Sequence, residues 1–179
     1  MSEATPNRAV MERLRLLEAE LLSIRQTLTP SAQALPEGSF QVLEAQVGGN
    51  WFGVPVSEIR EVIHMVWLQA LPDSPAWIMG TLRYGGEVVP IIDVPQRLGA
   101  ERLALNPSHR IVLAMTPALT GFAFHQVGEV VTLDTATVNP PSPAVNGEWF
   151  LLGSVPRSGF DAMHILSLER LSHGFVITK

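Results

Sequence analysis

Five histidines and four aspartates are the residues of this 179-residue chain best suited to chemistry, and their spacing argues against most of it. His64, His109, His125, His164 and His173 lack the short helical spacing that metal sites often use, and with no cysteine in the chain no thiolate can complete a set. No metal or cofactor is expected. Asp73, Asp93, Asp134 and Asp161 each stand apart from a second carboxylate, which leaves paired acid–base work without a seat. The basic residues are eleven arginines and a single lysine, Lys179, so Schiff-base chemistry and a Walker-type phosphate loop lack their internal lysine. There is no G-x-S-x-G nucleophile elbow and no dinucleotide fingerprint, and Gly48-Gly49 reads as a hairpin turn. The chain is expected not to be an enzyme.

The net charge of −5 falls wholly outside residues 1–36, where four arginines balance four glutamates. A nucleic-acid partner would need the opposite sign, a cationic stripe that displaces counterions from phosphates. The longest weakly polar run, Ile111 to Phe124, is too short to span a bilayer and contains Pro117, and no basic segment followed by an apolar core opens the chain. These features predict a cytoplasmic protein with no direct membrane insertion.

The elements that must position any site begin with a helix over 1–28, capped by Thr5 with Pro6 at its first position. Val10, Leu14, Leu17, Leu21, Ile24 and Leu28 follow one another at alternating steps of four and three, a heptad seam. In a parallel pair Arg13 would face Glu18 of the partner and Glu20 would face Arg25. The off-seam Leu16 and Leu22 fit docking on the chain's own domain equally well, so self-association and self-docking both stay open. Residues 29–39, with two prolines and a glycine among small polar residues, read as a linker. A domain over 40–172 and a tail over 173–179 complete the chain.

Within the domain the helical period gives way to short β-rich runs near 40–47, 51–56, 61–66, 78–84, 87–93, 109–116, 120–126, 129–134, 149–155 and 161–167, with helical turns at 56–60, 74–78, 94–99 and 168–172. This pattern predicts a mostly β fold of one or two barrels. Only Arg110, Glu129 and Asp134 are charged between Pro107 and Gly147, which marks this half as buried or as an apolar contact surface. A faint echo links Phe52-Gly53-Val54 and Glu61-Val62-Ile63 to Phe122-Ala123-Phe124 and Glu129-Val130-Val131, with spacings that differ by two. Trp67, Trp77 and Trp149 are expected inside, and Trp51 partly exposed. Asp93 is expected to accept turn N–H groups at a strand end, and Pro90 to place its strand at an edge or a bulge.

The segment Asp73-Ser74-Pro75-Ala76-Trp77-Ile78-Met79-Gly80, followed by Val88-Val89-Pro90-Ile91-Ile92-Asp93, resembles the central signature of CheW-like domains, in which a Pro-aromatic-Ile-x-Gly segment leads through an Asn-Leu-Arg-Gly turn to Pro-Ile-Ile/Val-Asp. Trp51-Phe52-Gly53-Val54 with Ile59-Arg60-Glu61-Val62, Gly121-Phe122-Ala123-Phe124 through Val127-Gly128-Glu129-Val130-Val131, and Ile165-Leu166-Ser167-Leu168-Glu169-Arg170-Leu171 are similar to further family segments, so the likeness spans residues 39–172.

The resemblance implies two five-stranded SH3-like β-barrels about a shared apolar core, and an adaptor that couples a chemoreceptor's cytoplasmic tip to a CheA-type histidine kinase. It places a partner-binding surface at Ile59, Glu61, Ile63, Met79, Arg83 and Tyr84, although Ile59 and Ile63 are as readily core residues, and it gives Gly80, Gly86 and Pro90 a backbone-shaping role. The family's turn arginine is replaced by Gly85. Arg83, two residues earlier, shares its side of the strand and is expected to reach Glu61, the alternative being a solvated Glu61 and weakened receptor coupling. A different function remains open: a β-barrel sensor holding an apolar small molecule in the 107–147 half, with His125 and Gln126 as its polar groups.

Overall fold

The computed structural model describes residues 35–141, 148–157 and 160–174. The helix expected over 1–28, with Leu14, Leu17, Leu21, Ile24 and Leu28, lies outside them. The chain divides into two units at Glu37/Gly38, and both sheets belong to the second.

Ten strands form that unit: β1 (Ser39–Val47), β2 (Asn50–Pro55), β3 (Ile59–His64), β4 (Ile78–Tyr84), β5 (Glu87–Asp93), β6 (Arg110–Thr116), β7 (Ala118–Phe124), β8 (Gln126–Asp134), β9 (Leu151–Arg157) and β10 (Phe160–Leu166). Two short helices, α1 (Val94–Arg97) and α2 (Leu168–Ser172), follow β5 and β10. Single 3₁₀ turns occupy Val56–Glu58, Thr135–Thr137 and Glu148–Phe150. The run expected as a strand from 149 therefore starts with a 3₁₀ turn. In place of the helical turn expected at 74–78 there is a single hydrogen-bonded turn, in which Ile78 N donates to Pro75 O, preceded by Ser74 Oγ donating to Leu71 O. Asp73, just before it, has a positive φ of 57°.

The first sheet has the order β8-β1-β2-β10-β9 and the second β3-β6-β7-β5-β4. Advancing every strand of the second sheet by five, counted around the ten, gives the first. Each sheet thus takes strands from both halves of the chain, and the 107–147 stretch splits between them, β6 and β7 going to the second sheet and β8 to the first. The equivalence extends to detail. Each sheet has one parallel pair, Ile91 beside Gly121 and Ile165 beside Gly53. Isolated bridges join Gln69 to Thr81 of β4 and Asn139 to Ser154 of β9. Both exchange two N–H···O bonds, 2.8 and 2.8 Å in the first, 2.8 and 2.9 Å in the second.

A glycine precedes each bridged residue for a reason of space. A Cβ on Gly80 would stand 2.6 Å from Gln69 O, and one on Gly153 would stand 2.7 Å from Asn139 O. The ends of β5 and β10 match as well: Asp93 N donates to Trp77 O at 2.8 Å and Ser167 N to Phe150 O at 2.9 Å, and Asp93 and Ser167 then cap α1 and α2.

The echo in the sequence belongs to this repeat, but its register is different. Gly53-Val54 is equivalent to Gly121-Phe122, because these glycines share the parallel partners Ile165 and Ile91. From Val54 to Glu61 and from Phe122 to Glu129 is then seven residues in each case. The apparent difference of two came from matching phenylalanine to phenylalanine.

Side chains on both faces of each sheet are buried. Leu43, Ala45, Val47 and Val54 of the first sheet meet Val112, Ala114, Phe122 and Phe124 of the second in a central core. Ile91, Ile111, Leu113 and Ala123 turn the other way, into a second cluster with Leu68 and Leu103, while Val42, Val155, Met163 and Ile165 fill a third. Two-sided burial explains why the β6 and β7 sequences are continuous apolar runs without alternation.

Pro90 is buried on β5, which is an inner strand, and the pair it makes with Thr81 is regular. The expectation of an edge or a bulge at Pro90 is corrected for a simple reason. Thr81 spends its N–H and C=O on Gln69, so the Thr81–Pro90 pair is a non-hydrogen-bonded one and the proline nitrogen points toward β7, whose pairing starts only at Ile91.

Asp93 is fully buried, and its Oδ1 accepts from Gln96 N at 3.0 Å and its Oδ2 from Leu103 N at 2.9 Å, the strand-end role expected of it. Trp77 packs on the central core beneath the Arg97 guanidinium, 4.0 Å above its ring. Trp149 is half exposed and Trp67 is 87% exposed, so neither is an interior residue as expected.

Candidate partner-binding surface

β3 and β4 are the two edges of the second sheet, and the sheet curves so that they face each other. Ile63 lies over the second cluster, and Glu61, two residues before it, takes the same face. On β4 the buried Leu82 points into that cluster, and Tyr84, two residues on, lies against it. The two edges therefore present Glu61 and Tyr84 on the same inner side, and the Tyr84 hydroxyl donates to Glu61 Oε2. Arg83 points to the opposite face, is exposed, and forms no ion pair with Glu61. The expected Arg83–Glu61 contact is thus replaced by a Tyr84–Glu61 hydrogen bond.

Gly85 in place of the family arginine has a conformational reason. The β4–β5 connection is a two-residue turn with φ of 58° at Gly85 and 86° at Gly86, the double-positive geometry of a type I′ hairpin. Gly80 also shapes backbone, with φ 146° at the bulge between β4 and β5.

Donation to Glu61 holds the Tyr84 phenol above its ordinary pKa, since a proton lost there would cost the hydrogen bond, and the Glu61 charge adds to the effect. Arg60 opposes it. Its guanidinium sits 6.0 Å over the Tyr84 ring, and its Nη1 lies 3.9 Å from the sulfur of Met115 at the end of β6. Beyond the Tyr84–Glu61 contact the edges part around an open cleft of about 590 Å³, in which Ile63, Val66, Trp67 and Val88 supply apolar walls and His64 and Arg83 supply charge or polarity.

Of the residues expected at a contact surface, Ile63, Arg83 and Tyr84 line this cleft, and Glu61 adjoins it through its bond to Tyr84. Met79 packs beside them on the second cluster, and Ile59 packs instead on the central core, away from the cleft. Trp67, Val66, Val88 and Arg60 were not anticipated. Trp67 has no periodic signal, because it follows β3 on the irregular segment that crosses to the Gln69 bridge.

The sensor reading fares differently. Most side chains of β6 and β7 are buried, His125 is half buried, and Gln126 is exposed on the edge strand β8. His125 Nδ1 accepts from Gly48 N, and its ring stands 5.4 Å from that of His109. Burial, and then the neighbouring His125, push the His109 pKa down. A second open cavity, of about 840 Å³, lies at Glu44, Trp51, Phe52, Arg157 and His164, where Arg157 and Glu44 pair at 2.6 Å. Neither cavity is lined by residues of the 107–147 stretch. Among the described residues no three His, Asp or Glu side chains gather to hold a metal, and no helix is long and apolar enough to cross a membrane.

Comparison with known proteins agrees with this architecture. The family model described as CheW-like domain matches residues 41–174. Protein FrzA of Myxococcus xanthus is 30% identical over 144 residues, 79% of this chain and 89% of its own. The probable chemotaxis protein CheW of Rhizobium etli is 26% identical over 119 residues, covering 66% of this chain and 76% of that protein. The crystal structure of the scaffolding protein TtCheW from Thermoanaerobacter tengcongensis has the same fold, with a TM-score of 0.68 at 21% identity over 75% of this chain and 92% of that one. Two matched five-stranded sheets and a family match over most of the chain lead to one conclusion: the chain belongs to the CheW-like domain family, non-catalytic scaffolds of chemotaxis signalling.

Proposed function

We propose that this protein is an adaptor that couples a chemoreceptor's cytoplasmic tip to a CheA-type histidine kinase, acting in the cytoplasm beside membrane receptors. The observation that carries the reading is the internal repeat, because a bridging protein needs two surfaces. In this fold the exposed edge at β3 is matched by an equivalent one at β8. Val62 and Val130 occupy equivalent positions on those edges, and both are exposed. Each sheet is read as an SH3-like barrel, closed by its single bridge.

The first contact surface comprises Glu61, Ile63, Arg83 and Tyr84 around the cleft, with Met79 beside them and Ile59 supporting from the core side. The chemistry suits an apolar anchor ringed by charge, in which a few buried side chains give affinity and the rim gives specificity. We assign 40–172 to the adaptor domain, 29–39 to a linker, 173–179 to a tail and 1–28 to a helix that associates with a second copy through Leu14, Leu17, Leu21, Ile24 and Leu28.

Titration of the full chain with the regulatory domain of a CheA-type kinase, and separately with a chemoreceptor cytoplasmic fragment, tests the adaptor. Both are expected to bind, and Glu61→Ala and Tyr84→Ala are expected to weaken at least one. Binding of neither overturns it. Light scattering with and without residues 1–35 tests the helix, and an unchanged monomer mass removes self-association.

A further inference from the structure

The contacts that begin at Glu61 end on a sulfur. Tyr84 bonds to Glu61, Arg60 lies over the Tyr84 ring, and Arg60 Nη1 reaches Met115 Sδ at 3.9 Å. Met115 is 62% exposed, whereas Met65 and Met163 are buried and Met79 is packed against the second cluster. With no cysteine in the chain, thioethers are its readily oxidised sulfur, and their reactivity follows exposure.

The reaction needs an oxidant of the peroxide class. The sulfur lone pair attacks one peroxide oxygen, the O–O bond breaks, a sulfoxide forms, and the departing oxygen leaves as water once protonated. The sulfur is oxidised by two electrons and the peroxide reduced by two. A thioether is a weak acceptor, but the sulfoxide oxygen is a strongly polar one, formed within reach of a guanidinium that already touches the sulfur.

We propose that Met115 is a reversible peroxide-modification site that switches the contact surface at β3, its sulfoxide drawing the Arg60 guanidinium off Tyr84. The switching part rests on the adaptor reading; the modification and the movement of Arg60 do not. Reduction by methionine sulfoxide reductases restores the starting state.

The chain has a single tyrosine, so its absorbance titration reports on Tyr84 alone. Arg60 lowers the Tyr84 pKa, while Glu61 raises it. The other charged groups beside Tyr84 are Arg83, next in sequence, and Glu87, its cross-strand neighbour.

Three measurements on the full chain test the proposal. After limiting hydrogen peroxide, peptide mapping is expected to find Met115 oxidised roughly ten-fold or more faster than Met65 or Met163; a rate no faster than that of Met163 overturns the site. Oxidised protein is expected to titrate its tyrosine at higher pH than reduced protein, and Met115→Leu to show no change with peroxide. An unmoved titration, or a shift that persists in Met115→Leu, overturns the Arg60 movement. Finally, oxidation is expected to weaken binding of the kinase regulatory domain several-fold in the parent chain and not in Met115→Leu. Equal affinities overturn the switch, and a reduced chain that does not bind the kinase at all sinks the adaptor reading while the first two readouts still decide the modification.

Discussion

The Tyr84 hydroxyl donates to Glu61 across the open side of the second sheet, so its two outermost strands are linked side chain to side chain. Among the described residues no backbone ladder joins β3 to β4 directly, and the Gln69–Thr81 bridge links that side further along. The pair is therefore placed to sense anything that pries the edges apart.

A double-mutant cycle isolates this contact. Tyr84→Phe and Glu61→Ala are expected to be non-additive in partner affinity, because each alone removes the same hydrogen bond. Arg83→Ala is expected to add independently to Glu61→Ala, since the two share no contact. Additivity of the first pair, measured by titration calorimetry with the kinase domain, would contradict the geometry.

The two bridge glycines yield a matched prediction about stability. Gly80→Ala and Gly153→Ala each drive a methyl into a carbonyl oxygen and are expected to cost about 1–3 kcal/mol in denaturant unfolding. Gly80 adds the strain of a positive φ, so its variant is expected to be the worse of the two. A Cβ at Gly153 also meets Val138, 2.5 Å away, which can shift, whereas the bridge carbonyl cannot.

Asp93 is fully buried and holds two backbone N–H groups. Asp93→Ala leaves Leu103 N buried and unpaired and removes the α1 cap, and a loss of about 2–4 kcal/mol is expected. Asp93→Asn keeps one carbonyl acceptor and is expected to lose less. Equal urea midpoints for the two variants would count against the double-acceptor role.

Acid sensitivity is expected to centre on His109. Its folded pKa lies below the unfolded value of about 6.5, so the neutral ring is favoured by folding and its contribution is present above that pH. Stability should fall as pH drops below about 6.5 through the folded pKa. His125 is the titratable group facing it, and Arg110, next in sequence, directs its guanidinium to the carbonyls of 107–109. His109→Gln is expected to flatten the pH dependence of the melting temperature between pH 7 and 5, and an unchanged slope would refute this origin.

Much of this architecture was legible because its signals are local. The β-rich runs between turn residues located all ten strands, and an aspartate ending an apolar run already pointed to a strand-end carboxylate that accepts turn N–H groups. What escaped the sequence depends on contacts between distant segments. The exchange of strands between halves leaves no local trace, and the echo was misaligned because phenylalanines are conspicuous while the equivalent positions are glycines, Gly53 and Gly121, chosen for close approach. A Cβ on Gly121 would meet Ile91 Cδ1 at 2.4 Å. Parity along β4 could not show that Glu61 meets Tyr84, the neighbour of Arg83 that points the other way. The interior expectation for Trp67 followed a general rule about large aromatics, which a segment crossing between edges does not obey.

The exchange of strands also dictates an order of assembly. The second sheet is one uninterrupted stretch, β3 to β7, and can close once residue 124 has been made. The first must bring Phe52 of β2 beside His164 of β10, a loop of roughly a hundred residues whose closure entropy is costly and slow to recover. During synthesis the β1–β2 hairpin therefore waits, with an unpaired flank, while the second sheet forms behind it. A ribosome that stalls before β10 releases a chain with one finished sheet and one lacking an inner strand, which makes the segment from Phe160 onward the step at which a nascent chain is most exposed to aggregation.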